Sequence, residues 1–263
     1  KINVEGRIID VEAALLQDRK ERLRREVENT RGSRETEVIV TVGEPFLEVI
    51  RHVLARGHDL VMVGEPGGDT AALPQPSSGV MHLLRKCPTP VWVMHPSLAT
   101  EVRILALVDP DPGDPVRDGL NDLVLELATS LARRMDGELH VGHAWTMEGE
   151  ATLRTSPIVE LPGRIVDVMV SDAEAFHRDQ LNVLAERHCL GELGASIHMV
   201  SGEPGVILSR LADRLDIGLI VMGTVGRTGL KGLIMGNTAE TILRSVRCSV
   251  LAVKPPGFVS PVR

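Results

Sequence analysis

The strongest constraint on this chain is that it contains one pattern twice. Thr41-Val-Gly-Glu-Pro45 recurs as Val200-Ser-Gly-Glu-Pro204, a displacement of 159 residues from Gly43 to Gly202. The same displacement pairs Gly64 with Gly223, Gly67 with Gly226, Leu84-Arg85 with Leu243-Arg244, Val91 with Val250 and Pro96 with Pro255, without a gap. A register held over that length implies two copies of one supersecondary unit, which must share an architecture.

The second copy reads as alternating strands and helices. Strands are predicted at Val102 to Val108, Glu138 to Trp145, Ala195 to Val200, Ile217 to Met222 and Ser249 to Val253. Helices are predicted at Pro115 to Arg134, Ser171 to His188, Pro204 to Leu215 and Thr238 to Ser245. The run from Ile217 to Met222 is almost wholly apolar, as expected of a strand covered on both faces, so the sheet is parallel and doubly wound. Residues 146–170 carry Gly, Pro and scattered apolar residues, and read as an inserted loop or lid. The first copy shows only the later elements: helix Ile8 to Glu28, strand Glu37 to Val42, helix Pro45 to Arg56, strand Asp59 to Gly64, helix Gly79 to Lys86 and strand Pro90 to Met94. Its opening strand-helix-strand is missing, and from usual element lengths a further stretch on the order of 50 residues is expected upstream. The expected layout is therefore two tandem doubly wound α/β domains, residues 1–97 and 98–263.

Net charge of −7 and a pI near 5.7 argue against affinity for a nucleic-acid backbone. Three Phe, two Trp and no Tyr leave almost nothing on which bases could stack. No apolar run approaches the roughly 20 residues that cross a bilayer, and residues 1–30 are too charged for a secretory signal. Cys87, Cys189 and Cys248 are odd in number and widely spaced, which fits buried thiols in a reducing compartment, the cytoplasm.

The chemistry concentrates after the buried strand, in Gly223-Thr-Val-Gly226-Arg-Thr-Gly229-Leu-Lys-Gly232-Leu-Ile-Met-Gly236-Asn237-Thr238, with a helix following at once. Glycines let backbone N–H groups face a ligand closely, and a helix N-terminus adds unpaired donors and partial positive charge, so phosphate is the natural guest. No Gly-Lys-Ser/Thr closes the loop and no Gly-x-Gly-x-x-Gly is present. Asn237 with Glu240 three residues on has the form of a capping box, which would occupy the donors that a phosphate needs, and the Glu240 carboxylate would repel the anion unless Arg227 or Lys231 offsets it. In the first copy the loop maps to Gly64-Glu-Pro-Gly67-Gly-Asp-Thr70, with Ser77 in place of Gly236, and has lost this character.

Gly226, nine residues and Gly236 reproduce the nucleotide-loop spacing of ATP-binding members of the universal stress protein family. The strings Gly-Thr-Val-Gly-Arg-Thr-Gly, Gly236-Asn-Thr-Ala-Glu240 and His82-Leu-Leu-Arg-Lys-Cys-Pro-Thr-Pro-Val-Trp92 resemble the family's tandem form over almost the whole chain. The resemblance implies a Rossmann-like fold, an adenine nucleotide (ATP or AMP) in the second copy, and an internal pseudo-dimer with a homodimer also open. It places Asp109 at the ribose or adenine, Ala144 beside adenine, and Gly223, Gly226, Gly236, Asn237 and Thr238 around ribose and phosphates. Asn237 departs from the Ser or Thr usual after the last glycine. Asp111 and Asp114 are candidates for Mg²⁺ on the nucleotide, although an Asp/Pro/Gly cluster is also an ordinary turn.

His140 and His143 lie three apart on a strand and so face opposite sides, which rules out a shared ion. No His-Glu-x-x-His, Cys-x-x-Cys or Gly-x-Ser-x-Gly pattern occurs, and no lysine or general base is placed for γ-phosphate transfer. Binding without turnover in a stress-response protein is the leading expectation. A scaffold or carrier with an apolar or lipid-like ligand under residues 146–170 is the alternative, and a slow ATPase ranks last.

Overall fold

A computed structural model describes residues 2–4, 7–9, 11–30, 36–64, 76–95, 101–156, 161–225 and 235–262. The chain divides into two compact units, Lys1–Val49 and Ile50–Arg263. The first holds an antiparallel pair, β1 (Ile2–Val4) and β2 (Arg7–Ile9), then helix α1 (Val11–Asn29). Helix α1 therefore starts three residues later than predicted, because Ile8 and Ile9 are drawn into the ladder. No α1 residue is buried, and Arg22 pairs with Asp18 one turn away at 2.8 Å, a solvated helix face.

Helix α2 (Pro45–Arg56) leads into the second unit, which contains β3 (Val61–Gly64), α3 (Ser78–Lys86), β4 (Val91–Met94), β5 (Arg103–Leu107), α4 (Pro115–Met135), β6 (Glu138–Trp145), α5 (Glu150–Thr155), α6 (Gly163–Arg187), β7 (Ser196–Ser201), α7 (Pro204–Arg214), β8 (Leu219–Gly223), α8 (Asn237–Ser245) and β9 (Ser249–Val253). One seven-stranded sheet runs in the order β3-β4-β9-β8-β5-β6-β7, parallel except where β4 meets β9. That junction exposes the duplication. Residues 91–93 of β4 are the counterparts of 250–252 in β9, and Val91 pairs with Ala252, Trp92 with Leu251 and Val93 with Val250. Each copy's last strand thus meets its own equivalent head to tail, and a local two-fold axis passes through the Trp92–Leu251 pair.

Helices cover both faces, as a mostly parallel sheet requires. On one face Ile104, Ala106, Val141, Val221 and Leu251 pack with Val124, Leu125 and Ala128 of α4 and Leu181 and Leu184 of α6. On the other, α7 and α8 pack so closely that a Cβ on Gly205 would sit 2.7 Å from Thr241 Cβ. The repeated Gly-Glu-Pro is a helix-starting device. Gly202 adopts φ +139° and Gly43 +148°, a region that favours glycine. Glu203 then caps α7, accepting the Val206 N–H at 2.8 Å, and Pro204 supplies the first helical residue.

Two expectations need correction. Glu37 to Val42 alternates like a strand but forms none, and Val42 is exposed. Its counterpart β7 is held by β6, and among the described residues the first copy has no counterpart of β6 to provide a ladder. The described part of residues 146–170, expected as a loop, is largely helical: α5 occupies part of it, and α6 begins at Gly163, eight residues before the predicted start. Ile165, Val166, Val168 and Val170 are β-branched and weak helix formers. Burial of Val166 and an Arg154–Asp167 ion pair at 2.9 Å nevertheless hold the early turns.

Candidate functional site

The chain leaves β5 for β6 and β7 on one side and returns to β8 on the other, so β5 and β8 are neighbours whose crossovers diverge. The carboxyl ends of such a pair open a crevice. A cavity of about 410 Å³ lies there, a size suited to a small ligand. Leu107, Val108 and Asp109 line it from the end of β5, Ala144 from β6, Pro204 and Leu208 from α7, and Met222, Gly223 and Val225 from the end of β8. Arg117, Leu120, Asn121 and Val124 contribute from α4, and Met235 with Gly236, Asn237, Thr238, Ala239 and Ile242 from the start of α8. Six of the seven residues proposed from sequence, Asp109, Ala144, Gly223, Gly236, Asn237 and Thr238, therefore meet around one hollow, while Gly226 lies outside the described residues. No described residue of 146–170 lines it.

The two ends differ electrically. At the β5 end Arg117 Nη1 approaches Asp109 Oδ2 at 3.4 Å and Asp111 Oδ2 at 2.8 Å, and Arg117 Nη2 lies 3.5 Å from Asp114 Oδ2. Among the described residues three carboxylates converge on one guanidinium, so acceptors are concentrated at this end. Asp114 also caps α4, accepting the amides of Val116 and Arg117, so Asp111 and Asp114 are engaged with Arg117 rather than held open for a cation. Buried Asn121 fixes the Asp109 backbone at both ends: its Oδ1 accepts the Asp109 N–H at 2.9 Å and its Nδ2 donates to the Asp109 carbonyl at 3.2 Å.

At the opposite end, α8 begins beside the cavity. Gly236 occupies the N-cap position with φ −65° and ψ 146° and has no side chain to satisfy the first-turn amides. The expected capping box of Asn237 and Glu240 is not formed. Asn237 is the first helical residue, and Glu240 is drawn away by Arg85 Nη2 at 3.0 Å and Arg244 Nη2 at 3.0 Å. Hydrogen bonds from Arg244 and Arg85 hold the Glu240 carboxyl below its usual range. The first copy resolves the same position differently: Ser77, the counterpart of Gly236, caps α3 by accepting the Val80 N–H at 3.4 Å.

The ends of the glycine loop are pinned. Val225 bridges Met235, and the Gly236 N–H donates to the Thr224 carbonyl at 2.9 Å. Below them Lys254 Nζ donates to Thr224 Oγ1 at 2.7 Å and lies 5.0 Å from the centre of the Phe258 ring. Burial lowers the Lys254 amine from 10.5 to about 8, against a smaller opposing effect of Cys87. Gly223 is needed for packing, since a Cβ there would stand 2.4 Å from Leu120 Cδ2. Arg117, Asn121 and Lys254 were not singled out in sequence. Arg117 alone carried a local signal, a cation in the first turn of a helix, against the dipole.

His140 and His143 do face opposite sides, His140 meeting His198 at 3.1 Å and His143 meeting His177 at 3.0 Å. Among the described residues no His, Cys, Asp and Glu cluster could hold a metal ion. All three cysteines are free. Burial pushes the Cys87 thiol up and that of Cys248 to about 12, but Cys189 is exposed, contrary to the expectation of three buried thiols.

Residues 103–254 match the model of the universal stress protein family, more than half of the chain. The chain belongs to the universal stress protein family. It is 30% identical over 231 residues to universal stress protein E of Escherichia coli K12, spanning 85% of this chain and 69% of that protein, and 31% identical to the corresponding Salmonella typhi protein over 85% and 70%. Among solved structures, a functionally unknown protein from Pseudomonas aeruginosa PAO1 superposes with a TM-score of 0.65 at 25% identity, covering 95% of this chain and 79% of that one. A universal stress protein from Archaeoglobus fulgidus gives 0.66 at 20% identity over 95% and 84%, a likeness of fold alone. Among the described residues no helix is long and apolar enough to cross a membrane.

Proposed function

We propose that this universal stress protein binds an adenine nucleotide, ATP or AMP, in the cavity at the β5/β8 switch, and acts in the cytoplasmic stress response through binding rather than turnover. In this reading Asp109 accepts ribose or adenine donors, Ala144 flanks the base, and Gly223, Gly226, Gly236, Asn237 and Thr238 surround the ribose and phosphates. The observation that carries it is the uncapped start of α8 beside the hollow, where Gly236 replaces the capping Ser77 of the first copy. The cavity presents acceptors at one end, apolar walls between, and amide donors at the other, the order of a nucleoside phosphate. Residues 1–97 serve as the partner repeat in a pseudo-dimer with 98–263.

Gly236→Asp tests the site, because φ −65° and ψ 146° suit an aspartate and an N-cap Asp gains a few tenths of a kcal/mol over Gly. Its carboxylate would take the donors and repel a phosphate. Calorimetric titration should show wild-type protein binding ATP or AMP, and the variant binding at least roughly tenfold more weakly with an unchanged or raised melting temperature. Equal affinity in both proteins would refute the loop assignment. The walls formed by Leu107, Leu120, Leu208, Met222 and Ile242 favour a second reading, a carrier of a small apolar or lipid-like ligand. Mass spectrometry of molecules released from the purified protein separates the two.

A further inference from the structure

Glu240 sits one turn from the anion-binding end of α8, where a carboxylate is attracted to the helix dipole and competes with a phosphate. Two arginines hold it elsewhere. Arg244 follows it by four residues on α8, with Nε at 3.3 Å and Nη2 at 3.0 Å from Oε1. Arg85 reaches Oε2 at 3.0 Å from α3, 155 residues away in sequence. Arg85 and Arg244 are counterparts in the duplication, so equivalent arginines from the two copies close on one carboxylate. The arrangement is not reciprocal, because the counterpart of Glu240 in the first copy is Met81, a buried core residue.

Stability alone gives this pair little purpose. The Arg85 and Glu240 side chains are 32% and 34% exposed, and exposed ion pairs contribute about 0–1 kcal/mol. Its position gives it consequence. Without Arg85, Glu240 would keep, among the described residues, only Arg244 on its own helix, and its carboxylate, in the first turn of α8, would be drawn back toward the helix N-terminus.

We infer that Arg85 of the first copy is a positioning residue for the nucleotide site of the second, holding the Glu240 carboxylate away from the phosphate position. The first copy thereby takes part in ligand binding although its own loop position is capped by Ser77. This inference rests on the nucleotide reading of the cavity, and two measurements separate the failure of one from the failure of the other.

Calorimetry with AMP and ATP on wild type, Arg85→Gln, Arg85→Lys and the Arg85→Gln/Glu240→Gln double variant reads the effect on the site. Arg85→Gln should weaken binding by roughly tenfold, Arg85→Lys by less, and the double variant should return to wild-type affinity because the competing carboxylate is gone. A merely structural role for Arg85 would leave the double variant as weak as Arg85→Gln, and that result overturns the inference, as does unchanged binding by Arg85→Gln. An NMR pH titration of the Asn237 and Thr238 amides needs no ligand. In Arg85→Gln these amides should follow a carboxylate titration that is absent from the double variant. If wild type binds no nucleotide, the functional reading falls, and this titration still decides whether Arg85 governs Glu240. Identical titrations in both variants refute the inference.

Discussion

Replacing Lys254 by Met should stabilise the protein at neutral pH, and the gain should vanish in alkali. Lys254 is 8% exposed, and among the described residues no carboxylate lies within ion-pairing distance. Its amine donates to Thr224 Oγ1 and faces the Phe258 ring, with the buried Cys87 thiol nearby. Burial lowers its proton affinity from 10.5 to about 8. Each tenfold change in that affinity is worth about 1.4 kcal/mol, so keeping the amine charged in the fold costs roughly 3 kcal/mol below pH 8. Since the folded value is depressed, the unfolded chain binds more protons between pH 8 and 10.5, and stability rises with pH across that window. Methionine keeps the unbranched shape without the charge. It forfeits the hydrogen bond, about 1 kcal/mol, while the Thr224 hydroxyl retains the Val253 carbonyl at 3.3 Å. The net expectation is a gain of roughly 2 kcal/mol at pH 7 that disappears by about pH 10. Urea unfolding of both proteins from pH 7 to 10 measures the difference, in which the titration of Cys248, which does not sense Lys254, cancels. A difference independent of pH, or a less stable variant at pH 7, would refute the reasoning.

Other outcomes follow from the same geometry. Gly223→Ala should cost about 1–3 kcal/mol, because its methyl would press on Leu120 Cδ2. Adding Leu120→Ala should make the pair less than additive in urea unfolding, and strict additivity would count against the contact. Burial first, then the neighbouring His140 and Arg214, lowers the proton affinity of His198 below its ordinary 6.5. Its contribution is therefore present above pH 6.5 and is lost as acid protonates the folded ring. NMR titration should find His198 below 6.5 in the native protein, and a value at or above 6.5 would refute this.

Much of the fold was legible in the residues because its signals are local. The repeated Gly-Glu-Pro, with φ values that favour glycine and a proline fit for the first helical turn, announced the starts of α2 and α7. Period marked α4, β6 and β9 within a residue or two of their bounds. The site was legible in part for the same reason: glycines after a buried strand and before a helix place backbone donors wherever the fold puts that strand end. Segments whose state depends on a distant neighbour escaped this reading. Glu37 to Val42 has the alternation of a strand but no ladder partner, and the start of α6 is held by burial of Val166 against its β-branched neighbours.

The sequence by itself determined the duplication, the order of strands and helices from α2 onward apart from α5, and the glycine-rich approach to α8, since each is written in spacing and backbone preference. Only the tertiary structure decided that β4 and β9 meet antiparallel about Trp92 and Leu251, that Arg117 stands among three aspartates, and that Glu240 turns to Arg85 instead of capping its own helix. These are contacts between residues brought together by chain crossovers, and a carboxylate one turn into a helix carries no local mark of which of two cations, or which end of the helix, will hold it.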